Sequence, residues 1–157
     1  QMVPIRIDEV LFEVQDELQH QHQNYRISID FEEIPDDDET VTVNGNKSLL
    51  KTLFNNLIDN ACKYSENNMA VINIRFNKSN CIINVADTGI GISVDDHEKI
   101  FEPFFRTKNA SNYKGHGIGL SICKRIVDIH GGRIILKSEL GKGSNFNVIL
   151  PLLSWLQ

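Results

Sequence analysis

Two carboxamides one helical turn apart, Asn56 and Asn60, are followed by Lys63 in a segment that is otherwise apolar along one side. Carboxamide oxygens bind hard cations and an ammonium meets an anion, so this ridge suits a cation and a phosphate together. The solvated face of an amphipathic helix would carry the same residues. Further along, DTGIGI sets Asp87 ahead of Gly89 and Gly91. The glycines let the backbone approach something flat or anionic, and the carboxylate can accept a hydrogen bond from an exocyclic amine. A glycine turn capped by its own aspartate is the plainer alternative. In KGHGIGLSICKRI, Gly115, Gly117 and Gly119 precede a helical pattern, where free backbone donors attract phosphate. A hinge before a helix would use the same glycines. The dinucleotide fingerprint does not apply, because a polar loop stands where that motif needs a buried strand. GKGSNF, with Ser144, is compatible with nothing more than a capped hairpin turn.

Positioning these groups requires a helix over residues 48–64. At about 100° per residue, Leu49, Leu53, Leu57 and Ala61 follow one line, and Leu50, Phe54 and Ile58 widen it into a core-facing stripe. A helix of about three turns is expected after Asp8, capped by that aspartate, with Val10, Leu11, Val14 and Leu18 on one side. Alternation places strands at 25–31, 40–43, 70–76, 81–86, 133–138 and 145–150, the fourth being central, with a hairpin at 77–80. Asp95 and Asp96 open a short helix toward Ile100 and Phe101. The broken, polar stretch FEPFFRTKNASNYKGHG then reads as a long loop, a lid or simply disordered. A last helix runs through Ile122, Ile126 and Ile129 and stops at His130, Gly131 and Gly132. The expected architecture is an α/β two-layer sandwich in one domain, with three main helices against a mixed, largely antiparallel sheet.

At 157 residues, 41% hydrophobic and 24% charged, the chain can bury an ordinary core without staples. A net charge of -5 argues against a nucleic-acid surface. Cys62, Cys81 and Cys123 lie far apart in apolar patterns and read as reduced core residues of a cytosolic compartment. No apolar run approaches a bilayer span and the first residues lack signal-peptide character, so no direct membrane insertion is expected.

In order along the chain, NNLIDNACKYS, DTGIGI, FEPFFR, GHGIGLSI and GKGSNFNVILP resemble the asparagine, glycine and phenylalanine boxes of the catalytic, ATP-binding domain of sensor histidine kinases. That domain is the kinase branch of the ATPase superfamily shared with gyrase, the Hsp90 chaperones and MutL, and its fold is the Bergerat type with an ATP lid, here about residues 93–116. The resemblance implies a magnesium ligand at Asn60, positioning of metal-bound phosphates or water by Asn56, and phosphate contact by Lys63. It implies that Tyr64 flanks the nucleotide and that Asp87 recognises adenine in a pocket shaped by Gly89 and Gly91. Gly115, Gly117 and Gly119 would wrap the phosphates with Leu120 at the pocket edge, and Ser144 would belong to the nucleotide site. Phe101, Phe104 and Phe105 would anchor the lid, from which Arg106 would reach the terminal phosphate or a partner.

The resemblance also implies that residues 1–6 leave a preceding dimerisation and phosphoacceptor domain, that 7–151 form the catalytic domain, and that 152–157 are a tail. The phosphorylated histidine would lie in that preceding domain, since none of His20, His22, His97, His116 and His130 has the expected context. A cognate response regulator, a homodimeric full-length protein and a cytoplasmic location below an inner-membrane sensor follow by the same resemblance. An ATPase or a serine-directed anti-sigma kinase of the superfamily, or a degenerate docking module, are the competing classes. One departure is His116, an imidazole where the family often has a small residue; it is expected to point outward from a mobile loop or to add a modest phosphate contact, in which case its charge near neutral pH alters nucleotide affinity. If His116 makes the phosphate contact, nucleotide affinity titrated between about pH 6 and 8 should weaken as the imidazole deprotonates; a flat profile contradicts that role.

Overall fold

A computed structural model of the chain describes residues 1–33, 41–106 and 119–156. The elements run β1 (Val3–Arg6), α1 (Ile7–Gln21), β2 (Arg26–Phe31), β3 (Thr42–Gly45), α2 (Lys47–Lys63), β4 (Met69–Phe76), β5 (Asn80–Asp87), two 3-10 turns (Val94–Asp96 and Lys99–Phe101), α3 (Gly119–Ile129), β6 (Arg133–Glu139), β7 (Gly143–Pro151) and α4 (Leu153–Leu156). A five-stranded sheet has the order β2-β4-β5-β7-β6, so β5 is central as its apolar sequence predicts. Its pairs are antiparallel except β2 with β4, which run parallel from Arg26↔Met69 to Phe31↔Ile74.

Helices α1, α2 and α3 cover one face of this sheet, with α2 touching both of the others as well as β4 and β5. Leu50, Leu53, Phe54, Leu57 and Ile58 of α2 are all essentially without solvent contact, the stripe expected from their spacing. Each such side chain contributes roughly 1.5–3 kcal/mol relative to an exposed one, so α2 cannot rotate about its axis without losing several of them. The helix starts where Asn46 Oδ1 accepts a hydrogen bond from Leu49 N at 3.0 Å, satisfying one of the free N–H groups of the first turn. Facing it, Ile72, Ile74, Ile83, Val85, Val148 and Leu150 point from alternate strand positions into the same core. Cys62, Cys81 and Cys123 are free and buried, as their patterns suggest, and burial pushes the Cys62 and Cys123 thiols up to about 12.

Two expectations at α1 are corrected. Asp8 does not cap α1: Arg6 occupies the N-cap, and Asp8 lies inside the helix holding the Arg6 guanidinium at 2.8 Å. The helix is 15 residues long, a turn more than expected. Residues 3–6 are a strand, antiparallel to β3 with Pro4 opposite Asn44, which forms a separate two-stranded sheet. Beyond β7, Leu152 is buried and bridges to Val43, tying the chain's last segment to β3.

The end of α3 is fastened to the start of α2 by a histidine. His130 is buried, with Nδ1 2.8 Å from Ile126 O and Nε2 3.1 Å from Asn46 N. An N–H can only be accepted by an unprotonated Nε2, so the ring is neutral with its proton on Nδ1. His130→Phe keeps a ring but leaves the Asn46 N–H without its acceptor, and should cost about 1–3 kcal/mol. Urea unfolding should show the lowered midpoint; an unchanged midpoint would mean that this contact does not stabilise the fold.

Candidate functional site

Three separate chain segments meet at the C-terminal half of α2. The first is α2 itself. Asn56 spends its amide on its own helix, donating from Nδ2 to Thr52 O at 2.9 Å. Its carboxamide oxygen faces the first residue of α3, where a Cβ placed on Gly119 would lie 2.9 Å from Asn56 Oδ1. Glycine is what allows that approach. Asn60 and Lys63, neighbours on the helix surface, are both half-buried, and among the described residues neither the Asn60 carboxamide nor the Lys63 ammonium has a hydrogen-bond or ion-pair partner. The Lys63 Nζ lies over the Tyr64 ring, 5.2 Å from its centroid. Burial holds Lys63 below its ordinary pKa; the Asp59 charge opposes that shift and the Arg106 charge adds to it.

Asp87 ends the central strand. Its Oδ1 accepts from Gly89 N at 2.8 Å, and it pairs in register with Ser144 on β7. Burial raises its pKa above the ordinary 3.8, while hydrogen bonds from the backbones of Gly89 and Ser144 pull the other way. The loop that follows is tied on both sides: Ile90 N to Tyr64 O at 3.3 Å and Gly141 N to Ile90 O at 2.8 Å. Gly91 adopts φ +70, and a Cβ there would sit 2.0 Å from Glu139 O, so no other residue fits between the loop and the β6–β7 turn. The GIG sequence is therefore a packed loop joining α2 to that turn.

Ser138 is the residue sequence reasoning missed. Its hydroxyl accepts from Ile92 N at 2.8 Å and donates to Gly143 O at 2.9 Å, propping the Asp87 loop from below. Nothing in the strand pattern of 133–138 distinguishes it; only the fold brings it under Ile92. Ser144 is buried with its hydroxyl 2.8 Å from Ser138 Oγ, so its contact with Asp87 comes from the backbone. Leu120 lies half-buried at the start of α3 and packs on the core. Phe101 meets Phe146 edge-on at 6.4 Å and Phe105 also packs on the core, whereas Phe104, at φ 65, is 75% exposed and anchors nothing among the described residues. Arg106 is half-buried, and its charge is felt at Lys63. Gly115, His116 and Gly117, with most of the expected lid, lie outside the described residues.

The raised pKa of Asp87 has a sign that can be measured. A carboxyl whose pKa is raised on folding binds its proton more tightly in the folded state, so its contribution to stability is fully present below the ordinary 3.8 and is lost as pH rises through the raised value. The unfolding free energy of the wild type minus that of Asp87→Asn should therefore fall between about pH 3 and pH 6. A difference that rises or stays flat would mean that burial does not dominate at this carboxyl.

Similarity to known proteins identifies the family and the fold. A sequence profile of the family described as "Histidine kinase-, DNA gyrase B-, and HSP90-like ATPase" matches residues 45–154. Sensor histidine kinase RcsC of Escherichia coli K12 is 36% identical over 117 residues, covering 73% of this chain and 12% of RcsC. Adaptive-response sensory kinase SasA of Synechococcus elongatus is 35% identical over 150 residues, covering 92% of this chain and 38% of SasA. The chain thus spans well under half the length of these relatives. Among solved structures, the catalytic domain of histidine kinase ThkA matches with a TM-score of 0.79 at 26% identity, covering 97% of this chain and 98% of that one. The mycobacterial sensor histidine kinase MprB, at 23% identity and the same TM-score over 97% of this chain and 98% of its own, is alike in fold. With the boxes in order, the sheet order and the three segments joined at α2, the chain belongs to the histidine kinase-, gyrase B- and HSP90-like ATPase family, as a histidine-kinase-type ATPase domain homologous to those of sensor kinases.

Proposed function

We propose that this chain binds magnesium-ATP and donates the terminal phosphoryl group to a histidine on a dimerisation and phosphoacceptor domain outside it, for relay to a response-regulator aspartate. The observation that supports this reading is a pair of groups on α2, the Asn60 carboxamide and the Lys63 ammonium, neighbours on the helix surface and both without a hydrogen-bond or ion-pair partner among the described residues, the ammonium lying over the Tyr64 ring. A hard cation and a phosphate are the two ligands such a pair lacks. No group of three His, Cys, Asp or Glu able to hold a metal exists among the described residues. A magnesium ion would accordingly take one protein oxygen, from Asn60, and complete its shell with phosphate oxygens and water, which is how that ion usually binds beside a nucleotide. When bound, it neutralises charge on the phosphate oxygens.

The chain's own residues do the rest. Asp87, with Oδ1 taken by Gly89 N, offers its other oxygen to the exocyclic amine of adenine. Tyr64 flanks the base, and Gly89 and Gly91 keep that pocket's wall close. Lys63 meets the phosphates, and its raised tendency to lose its proton in isolation is reversed once an anion faces it. Asn56 orients the phosphate-bound water or oxygen at the start of α3, where Gly119, with Gly115, Gly117, His116 and Leu120, closes on the phosphates. Ser144 contributes through its backbone to Asp87. Arg106, near Lys63 in charge, extends the positive side of the site toward the terminal phosphate or the incoming histidine. Such a site works by positioning and charge stabilisation, and the nucleophile arrives from elsewhere.

On this reading the parent is a homodimeric sensor kinase with this domain in the cytoplasm; no helix among the described residues is long and apolar enough to cross a membrane. The test is to incubate the chain with labelled ATP and magnesium, alone and after restoring the upstream domain. Acid-labile label should appear only in the second case and fall at least about 100-fold in Asn60→Ala, the size of loss seen when a positioned charge-stabilising group is removed. Robust labelling of histidine in the isolated chain, or none with the upstream domain present, would contradict the proposal.

A further inference from the structure

Tyr25 belongs to none of the boxes, yet it reaches the proposed phosphate site through one intermediary. The turn after α1 places it: His22 N bonds to Leu18 O at 2.9 Å and Tyr25 N to His22 O at 3.1 Å. The His22 ring then stacks on the Tyr25 ring at 4.2 Å with an interplanar angle of 17°, and the other side of the tyrosine packs on the core. So held, Tyr25 Oη donates to Asp59 Oδ1 at 2.7 Å. Burial and the Asp59 charge raise the phenol's pKa well above its ordinary 10.0, so the donor keeps its proton at any physiological pH.

Asp59 stands four residues before Lys63 on α2, an acid ahead of a lysine in the spacing and order that most favour an ion pair on a helix surface. Yet no ion pair joins them, and the ammonium lies over Tyr64 instead. Lysines elsewhere on the same helix do pair: Lys47 reaches Glu13 at 2.7 Å and Lys51 also pairs with Glu13, at 3.5 Å. The difference at Lys63 is that its carboxylate neighbour is already engaged by a phenol. A phenol-to-carboxylate bond is charge-assisted and short, and a ring fixed by stacking and packing gives up little freedom to make it, whereas Lys63 would have to order a long side chain.

We propose that Tyr25 is a positioning residue that holds the Asp59 carboxylate away from Lys63 and so leaves the lysine ammonium available to the phosphates of the nucleotide. The inference rests on the nucleotide-binding function proposed above and adds a residue that the family boxes do not contain. Removing the phenol hydroxyl releases a carboxylate that competes with phosphate for the same ammonium; removing the carboxylate as well abolishes the competitor.

The test is calorimetric titration of magnesium-ATP and NMR titration of adenosine, which has no phosphate, into the wild type, Tyr25→Phe, Asp59→Asn and the double variant, with thermal unfolding of each. Tyr25→Phe should bind magnesium-ATP about fivefold more weakly, the scale of one partly exposed ion pair, with adenosine unchanged. The double variant should recover affinity for ATP to within about twofold of the wild type, and Asp59→Asn alone should match or exceed the wild type. Unchanged ATP affinity in Tyr25→Phe, parallel weakening toward ATP and adenosine, or failure of the double variant to recover would each overturn the inference. Should Tyr25→Phe not fold, weaker ATP binding by Asp59→Asn overturns it. Absence of ATP binding by the wild type would instead defeat the nucleotide reading on which it stands.

Discussion

The orientation of α2 governs everything else in this molecule. Its apolar stripe is gripped by the sheet below and by α1 and α3 on either side, so the helix has one rotational setting. That setting fixes where Asn56, Asn60 and Lys63 come to lie on its surface, with Asn56 against Gly119 of α3 and Lys63 over Tyr64. Polar side chains on a buried helix are costly to leave unpaired, and Asn56 answers this by bonding to Thr52 O. Asn60 and Lys63 have no such answer among the described residues. The core thus determines the position of the ridge, and on the proposed reading a ligand with an oxygen-seeking cation and an anion would complete it.

The second constraint is closeness. The loop after Asp87 is pinned between Tyr64 O and Gly141 N and rests on Ser138, leaving no room for side chains at its glycines. Rigidity of this kind places a carboxylate at the end of a central strand with one oxygen already taken and its backbone donors in place. Burial there disfavours the ion, and the two backbone hydrogen bonds offset part of that cost. A buried carboxylate in this position is costly to stability, and the proposed nucleotide reading gives it a use.

Much of this architecture is legible in the amino-acid pattern. The stripe from Leu49 to Ala61 admits no period but the helical one, and Lys47–Lys63 form that helix, within a residue of the expected 48–64 at either end. The central position of β5 follows from its apolar density, and the boxes contain Asn56, Asn60, Lys63 and Asp87, the residues that the fold draws together at one end of α2. What the pattern does not carry depends on tertiary partners. Pro4 disguises β1, whose ladder partner, β3, lies far along the chain, with Val3 opposite Gly45. Asp8 looks like a cap because nothing in the sequence says that Arg6 will take its carboxylate. The parallel pairing of β2 with β4, the prop at Ser138, the His130 fastening and the Tyr25–Asp59 bond all join residues whose proximity is created by the fold.

On the proposed reading, the chemistry of the site depends on one cation ligand, Asn60. Titration of ATP into the wild-type chain and into Asn60→Ala, each with and without magnesium, isolates that link most directly. Magnesium should strengthen binding to the wild type by about tenfold or more and leave the variant's weaker binding unchanged. Equal ATP affinity of the wild type with and without magnesium, or the same magnesium effect in Asn60→Ala, would contradict the claim that the C-terminal half of α2 is the wall of a magnesium-ATP site.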